Sequence, residues 1–171
     1  LISKDLNLKA LASVKTLVIL ALLSALSVVL ERFVGINTPQ FKLHFGYLPV
    51  ALAGILYGIM PAILVATVAD VLSNLNNFNI LFVLLAVLEG AVYGIFLHRR
   101  LAERRQMLIQ AILCQLVVSV IIHAGFNTLL LWTLYRYFDP IRFLINALTY
   151  PIKVFTIYKM LNYRGVFEQY A

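Results

Sequence analysis

Long apolar runs broken by short polar or basic stretches make up nearly the whole chain. Val14 to Phe33 is the first run. At 1.5 Å per residue it makes a helix of ~30 Å, the thickness of a bilayer's hydrocarbon core. Further runs predict helices at Leu48–Tyr57, Ile59–Leu75, Ile80–His98, Met107–Leu134 and Ile141–Asn162. Between the first two lies a different pattern. From Phe41 to Phe45, Lys42 and His44 alternate with Phe41, Leu43 and Phe45, a period of two that predicts an extended segment. Pro49 suits the first turn of the following helix, where its missing N–H is not needed. Gly58 and Pro61 then punctuate the apolar sequence. Leu48–Tyr57 is too short to span alone, so it and Ile59–Leu75 read as a bent or tilted hairpin in a membrane. The expected fold is an all-α integral membrane protein of six transmembrane helices, the second short, forming one membrane domain over residues 1–171.

Ser73 to Asn79 is a polar, turn-rich connection, and Tyr135 to Pro140 an aromatic loop. Leu1 to Thr16 carries three lysines, and its Leu6, Leu8, Leu11 and Val14 suit an interfacial turn of helix. A basic start before an apolar run can mark a signal peptide. Here the run is long, no small-residue cleavage site follows, and more apolar runs come after it. It therefore reads as the first membrane helix.

Composition strengthens this reading. Apolar residues are 63% of the 171 positions and charged residues 12%, against ~45–50% and ~25% in soluble domains. The single cysteine, Cys114, lies in an apolar run, which leaves no disulfide framework. The net charge of +7 fits cationic loops facing anionic lipid better than nucleic acid, because the basic residues gather at the ends of the runs. With both termini on one side, that side holds Lys4, Lys9, Lys15, Arg99, Arg100, Arg104, Arg105, Lys159 and Arg164. The other holds Arg32, Lys42, Arg136 and Arg142. The bias places both termini in the cytoplasm, and the Phe41 stretch then begins outside.

Ionisable residues within membrane helices cost ~2.5–3.5 kcal/mol each on insertion scales and normally face the bundle interior. Asp70, Glu89, His123 and Lys153 are such residues here, joined by Asn127 and Asn146. Two readings stand for them. Glu89 and Lys153 pair while the rest bridge helices or close helix ends, or the polar groups line a pocket opening outward. In the pocket reading Phe41, Phe45 and Tyr47 stack on a flat ligand, and Glu89, Asn127, Arg142 and Asn146 supply directed contacts. Metalloprotease, phosphate-loop and nucleophile-elbow motifs are missing. The three histidines fall in different segments at different depths, against a three-His zinc site. Ala21, Ser24 and Ala25 form a small face on the first helix that would admit a close helix neighbour, within this chain or in a partner.

Lys42-Leu-His-Phe-Gly-Tyr-Leu-Pro-Val-Ala-Leu-Ala-Gly-Ile-Leu-Tyr-Gly58, followed by Ala69-Asp70, resembles the signature of substrate-binding S components of energy-coupling factor (ECF) vitamin transporters, folate-type branch. Gly90-x-x-Tyr93-Gly94-x-Phe96-Leu97, Asn127-Thr128-Leu129 and Arg142-x-x-x-Asn146-x-x-x-x-Pro151 extend the resemblance over about Val14 to Tyr163. It implies six helices, an outward-facing vitamin pocket and a bacterial plasma-membrane location. It also implies a complex with a transmembrane coupling subunit and two ATPases. ATP and Mg would belong to those partners, and this chain would need no cofactor. Ala21 and Ala25 match the alanine motif that contacts the coupling subunit.

The chain departs from the folate-type pattern at four places. Leu81-Phe82-Val83 stands for Gly-Phe-Thr, Ile145 for a lysine, Lys153 for a neutral or acidic residue, and Glu89 for a small or hydroxyl side chain. Folate, hydroxymethylpyrimidine and pantothenate all remain open as substrates. An aminopyrimidine would offer N–H donors to Glu89, and a pantothenate carboxylate would seek Arg142, Arg32 or Lys153. The alternatives to a transport subunit are an intramembrane enzyme acting on a lipid or isoprenoid through Asp70 and Glu89, or a ligand-free membrane assembly protein.

Overall fold

The computed structural model describes residues 13–34, 36–37, 42–43, 45–75, 78–98, 103–136 and 140–170. Helix α1 (Val14–Arg32) leads into a small antiparallel ribbon of β1 (Ile36–Asn37) and β2 (Lys42–Leu43), with Ile36 opposite Leu43 and Asn37 opposite Lys42. Helices α2 (Tyr47–Tyr57), α3 (Ile59–Ser73) and α4 (Ile80–Leu97) follow. One long helical rod comes next. It comprises α5 (Arg104–Leu116), a π-helical stretch (Val117–Asn127) and α6 (Thr128–Tyr135). Helix α7 (Ile141–Asn162) and the short α8 (Arg164–Tyr170) complete the chain.

Among the described residues the fold is all-helical apart from the ribbon. The extended segment expected from the Phe41–Phe45 alternation is present at Lys42–Leu43. Among the described residues, three helical segments are long and apolar enough to cross a membrane: Val14–Arg32, Ile80–Leu97 and Arg104–Leu134. At 11 residues, α2 extends only ~17 Å, well short of a ~30 Å core. The rod begins at Arg104 rather than Met107, so Arg104 and Arg105 lie in its first turn.

Gly58 makes the α2–α3 break. Its φ of 94° is a conformation that favours glycine. Its N–H closes α2 on Gly54 O and its carbonyl receives Ala62 N, both at 3.2 Å. Helix α4 lies directly against this break. A Cβ at Gly94 would fall 2.3 Å from Ile59 Cα, and one at Gly90 would fall 2.8 Å from Ala62 O. Glycines thus bring α3 and α4 backbone to backbone, as helices in lipid do when small residues share a face.

The core lies where α1 to α4 meet α7 and the rod. Leu20, Ala51, Ala53, Ile55, Val65, Tyr93, Leu97 and Ile157 are sealed in it. The outward faces are equally apolar. Leu22 on α1, Leu84 on α4, and Leu144, Leu148 and Phe155 on α7 are all exposed. A large apolar exterior is costly in water and matched by lipid.

Side chains close several helix ends. Asn79 caps α4, its Oδ1 accepting from Leu81 N at 3.0 Å. Arg32 donates to Ser73 O at 2.8 Å at the C-terminus of α3. Arg164 donates to His98 O at 3.0 Å at the C-terminus of α4 and pairs with Glu168 at 2.8 Å. Each guanidinium meets carbonyls that have no partner within their helix, at the negative end of the helix dipole. Gln110 Nε2 donates to Phe96 O at the same end of α4.

Candidate functional site

The expected site residues divide by position. Phe41 lies outside the described residues. Phe45 is half-buried just before α2, its ring 6.5 Å from the Tyr47 ring at a tilt of 35°. Tyr47 opens α2 and is 4% exposed. Its hydroxyl is 2.8 Å from Thr156 Oγ1 on α7. Because Thr156 Oγ1 already donates to Lys153 O at 2.9 Å, the Tyr47 hydroxyl is the donor in that pair. Lys153 Nζ sits 5.6 Å from the centre of the Tyr47 ring, a cation–π placement. Tyr47 is therefore engaged with α7 by both its ring and its hydroxyl.

Glu89 is the tenth of 18 residues in α4, and Lys153 the thirteenth of 22 in α7. Both are half-buried. Each feels the other as its strongest opposite charge, and the Glu89 carboxylate is hydrogen-bonded to Tyr93 one turn along. Asn127 ends the π-helical stretch, half-buried. Asn146, on the second turn of α7, donates from Nδ2 to Ser119 O at 3.0 Å and ties α7 to the rod. Arg142 lies in the first turn of α7 and is described by its backbone alone.

A buried polar chain connects these groups. The Tyr93 hydroxyl, beside Glu89, donates to Gln115 Oε1 at 3.3 Å, and Gln115 Nε2 donates to Ser119 Oγ at 3.2 Å. Ser119 is also the residue whose carbonyl accepts from Asn146. Tyr93 and Gln115 are fully buried and Ser119 nearly so. Tyr93, Gln115, Ser119 and Thr156 were not among the candidates from sequence. Gln115 had a signal of its own, an uncharged amide between Leu113-Cys114 and Leu116-Val117-Val118, because such a group must find a hydrogen-bond partner in the protein.

Asp70 is turned back on its own helix end. Asn74 Nδ2 donates to its Oδ1 at 2.9 Å and to its carbonyl at 3.0 Å. Arg32, held by the end of α3, is likewise engaged. Farther along the rod, Ala124, Gly125, Thr128, Leu129 and Trp132 line an open, mostly apolar groove of about 500 Å³. On α1, Ala21 and Ala25 face outward. Ser24 between them is buried, its hydroxyl donating to Leu20 O at 2.9 Å.

An all-helical membrane fold with a short second helix, a ribbon after the first and buried polar groups linking α4, the rod and α7 fits a membrane subunit that binds a small polar molecule. Residues 15–166 match the model of the substrate-specific component of ECF transporters. The chain belongs to that family, whose members are substrate-binding components of transporters and not enzymes. It is 26% identical over 153 residues to the folate transporter FolT of Clostridium novyi (strain NT), covering 85% of this chain and 87% of the relative. Its fold superposes on the crystal structure of FolT bound with folic acid at a TM-score of 0.78 and 28% identity, covering 88% of this chain and 94% of that one.

Proposed function

We propose that this chain captures a folate-type vitamin on the outer face of the bacterial plasma membrane and delivers it for ATP-driven uptake. The observation that carries the reading is the fold match, at 28% identity over most of both chains, to FolT holding folic acid. In this reading six helices cross or enter the bilayer, both termini are cytoplasmic, and the pocket opens outward. A coupling subunit and two ATPases supply the energy. The pocket lies between the segment at 36–45, α4, the end of the rod and the start of α7. Phe41 and Phe45 form its aromatic side, and Tyr47, held by α7, backs it. Glu89, Asn127, Arg142 and Asn146 are its directed contacts. Ala21 and Ala25, exposed on α1, meet the coupling subunit.

Isothermal titration of the purified full chain with folic acid, pantothenate and 4-amino-5-hydroxymethyl-2-methylpyrimidine tests the reading. Folic acid is expected to bind. Asn127→Ala or Arg142→Ala should weaken that binding by roughly tenfold or more, since an unmatched buried polar group costs ~1–3 kcal/mol. Undiminished affinity in both variants would show the pocket to be elsewhere. Binding of none of the three ligands would refute the vitamin assignment.

A further inference from the structure

Among the described residues, the buried polar chain offers few donors to Glu89. Tyr93 has one O–H, which stands beside two acceptors, the Glu89 carboxylate and Gln115 Oε1. Gln115 and Asn146 direct N–H donors to Ser119, so those donors are engaged within the protein. A carboxylate accepts about four hydrogen bonds, and half of one shared hydroxyl proton does not fill it. The nearby cation, Lys153, is drawn over the Tyr47 ring. Accessibility points the same way. Tyr93 and Gln115 are sealed, whereas Glu89 and Lys153, at mid-depth in α4 and α7, are only half-buried. The two charged groups thus keep part of their surface free next to a closed polar chain.

We propose, resting on the transport reading above, that Glu89 is the specificity-determining anchor for a ring edge carrying two adjacent N–H donors, the 2-amino-4-oxopyrimidine edge of a pterin, with Lys153 facing the acceptors of the same ring. On that edge the exocyclic amino group and the neighbouring ring N–H point in parallel, so both reach one carboxylate in bidentate fashion. A 4-aminopyrimidine sets one donor beside a ring acceptor and fits the carboxylate half as well. Pantothenate, itself an anion, meets Glu89 with like charge. Two molecules carry the edge, intact folate and a free pterin without the tail.

The test is a cycle between protein and ligand, measured by titration calorimetry on the purified full chain. The wild type should bind 2-desamino folic acid at least tenfold more weakly than folic acid. Glu89→Gln should bind folic acid at least tenfold more weakly than wild type and distinguish the two ligands by less than twofold. A merely structural Glu89 would lower affinity for both ligands alike and leave their ratio unchanged, and that result would overturn the proposal. Should Glu89→Gln fail to fold, Glu89→Gln/Lys153→Met, which removes both charges, serves in the same cycle. The wild-type comparison needs no variant, and equal binding of the two ligands there also overturns it. Affinity for 6-hydroxymethylpterin within tenfold of that for folic acid supports recognition of the ring. Folic acid binding without measurable pterin binding overturns it. Binding of pantothenate alone refutes the anchor but not the transport role, whereas binding of no vitamin refutes both.

Discussion

Gly94→Ala is the sharpest perturbation that the packing of this fold allows. The added Cβ would lie 2.3 Å from Ile59 Cα and 2.8 Å from Ile59 N. Carbon atoms pack at ~3.5–4.0 Å, so the helices must part by roughly 1 Å. The obstacle is backbone, which has no rotamer to change. It also lies next to Gly58, whose positive φ sets the path of the chain between α2 and α3. Overpacking of this kind costs ~1–3 kcal/mol, partly offset by the ~1 kcal/mol by which alanine favours helix over glycine. A net loss of up to ~2 kcal/mol is expected. Gly165→Ala is the matched control, because a Cβ there meets nothing within 4 Å, and only the helix-propensity gain remains. The assay is reversible unfolding of both variants in one detergent, read by circular dichroism. Ligand affinity is measured alongside, since α4 carries Glu89 and Tyr93 and a displaced α4 should weaken binding. If Gly94→Ala proves as stable as Gly165→Ala, the close approach of α3 and α4 is not what holds these helices together.

Asn77→Cys should react with an impermeant thiol reagent added outside cells while Glu103→Cys does not, and reversed labelling would invert the topology and move the pocket to the wrong side. Ala21→Trp or Ala25→Trp should block assembly with the coupling subunit while the isolated chain still binds ligand. Normal transport in both variants would make that face an ordinary lipid surface. Gln115→Leu should destabilise the fold by ~1–3 kcal/mol, because the sealed Tyr93 and Ser119 hydroxyls each lose a partner. An unchanged denaturation midpoint would show that the polar chain is not needed for stability.

The helical membrane class was legible from local features, because in lipid a backbone must satisfy its own hydrogen bonds and apolar length alone identifies a helix. Val14–Arg32 and Ile80–Leu97 lie within two residues of the runs that announced them. The extended strand at Lys42–Leu43 was legible from the alternation around it, though its partner Ile36–Asn37 was not, and the α2–α3 break was legible from Gly58 and Pro61. The π-helical stretch Val117–Asn127 was not. Its sequence, Val-Val-Ser-Val-Ile-Ile-His-Ala-Gly-Phe-Asn, carries no local signal that separates it from an apolar α-helix, and it packs against α4 and α7. Helix-end packing was one of two readings open for Asp70, and Asn74 Nδ2 donates to its Oδ1 at 2.9 Å.

What the sequence by itself determined is therefore one-dimensional: which runs are helical, where they stop, which charges are costly to bury and to which family the pattern belongs. Only the tertiary structure decided what those costly groups do. Tyr47, a free stacking surface by composition, is joined to Thr156 and Lys153 because α2 and α7 meet there. Asn146 reaches Ser119 across 27 positions, and Tyr93 reaches Gln115 across 22. Hydrogen bonds between helices depend on rotation and depth, and these are set by side-chain contacts such as the glycine seam of α3 and α4. A hydropathy pattern records how long a helix is, but not which way it is turned toward its neighbours.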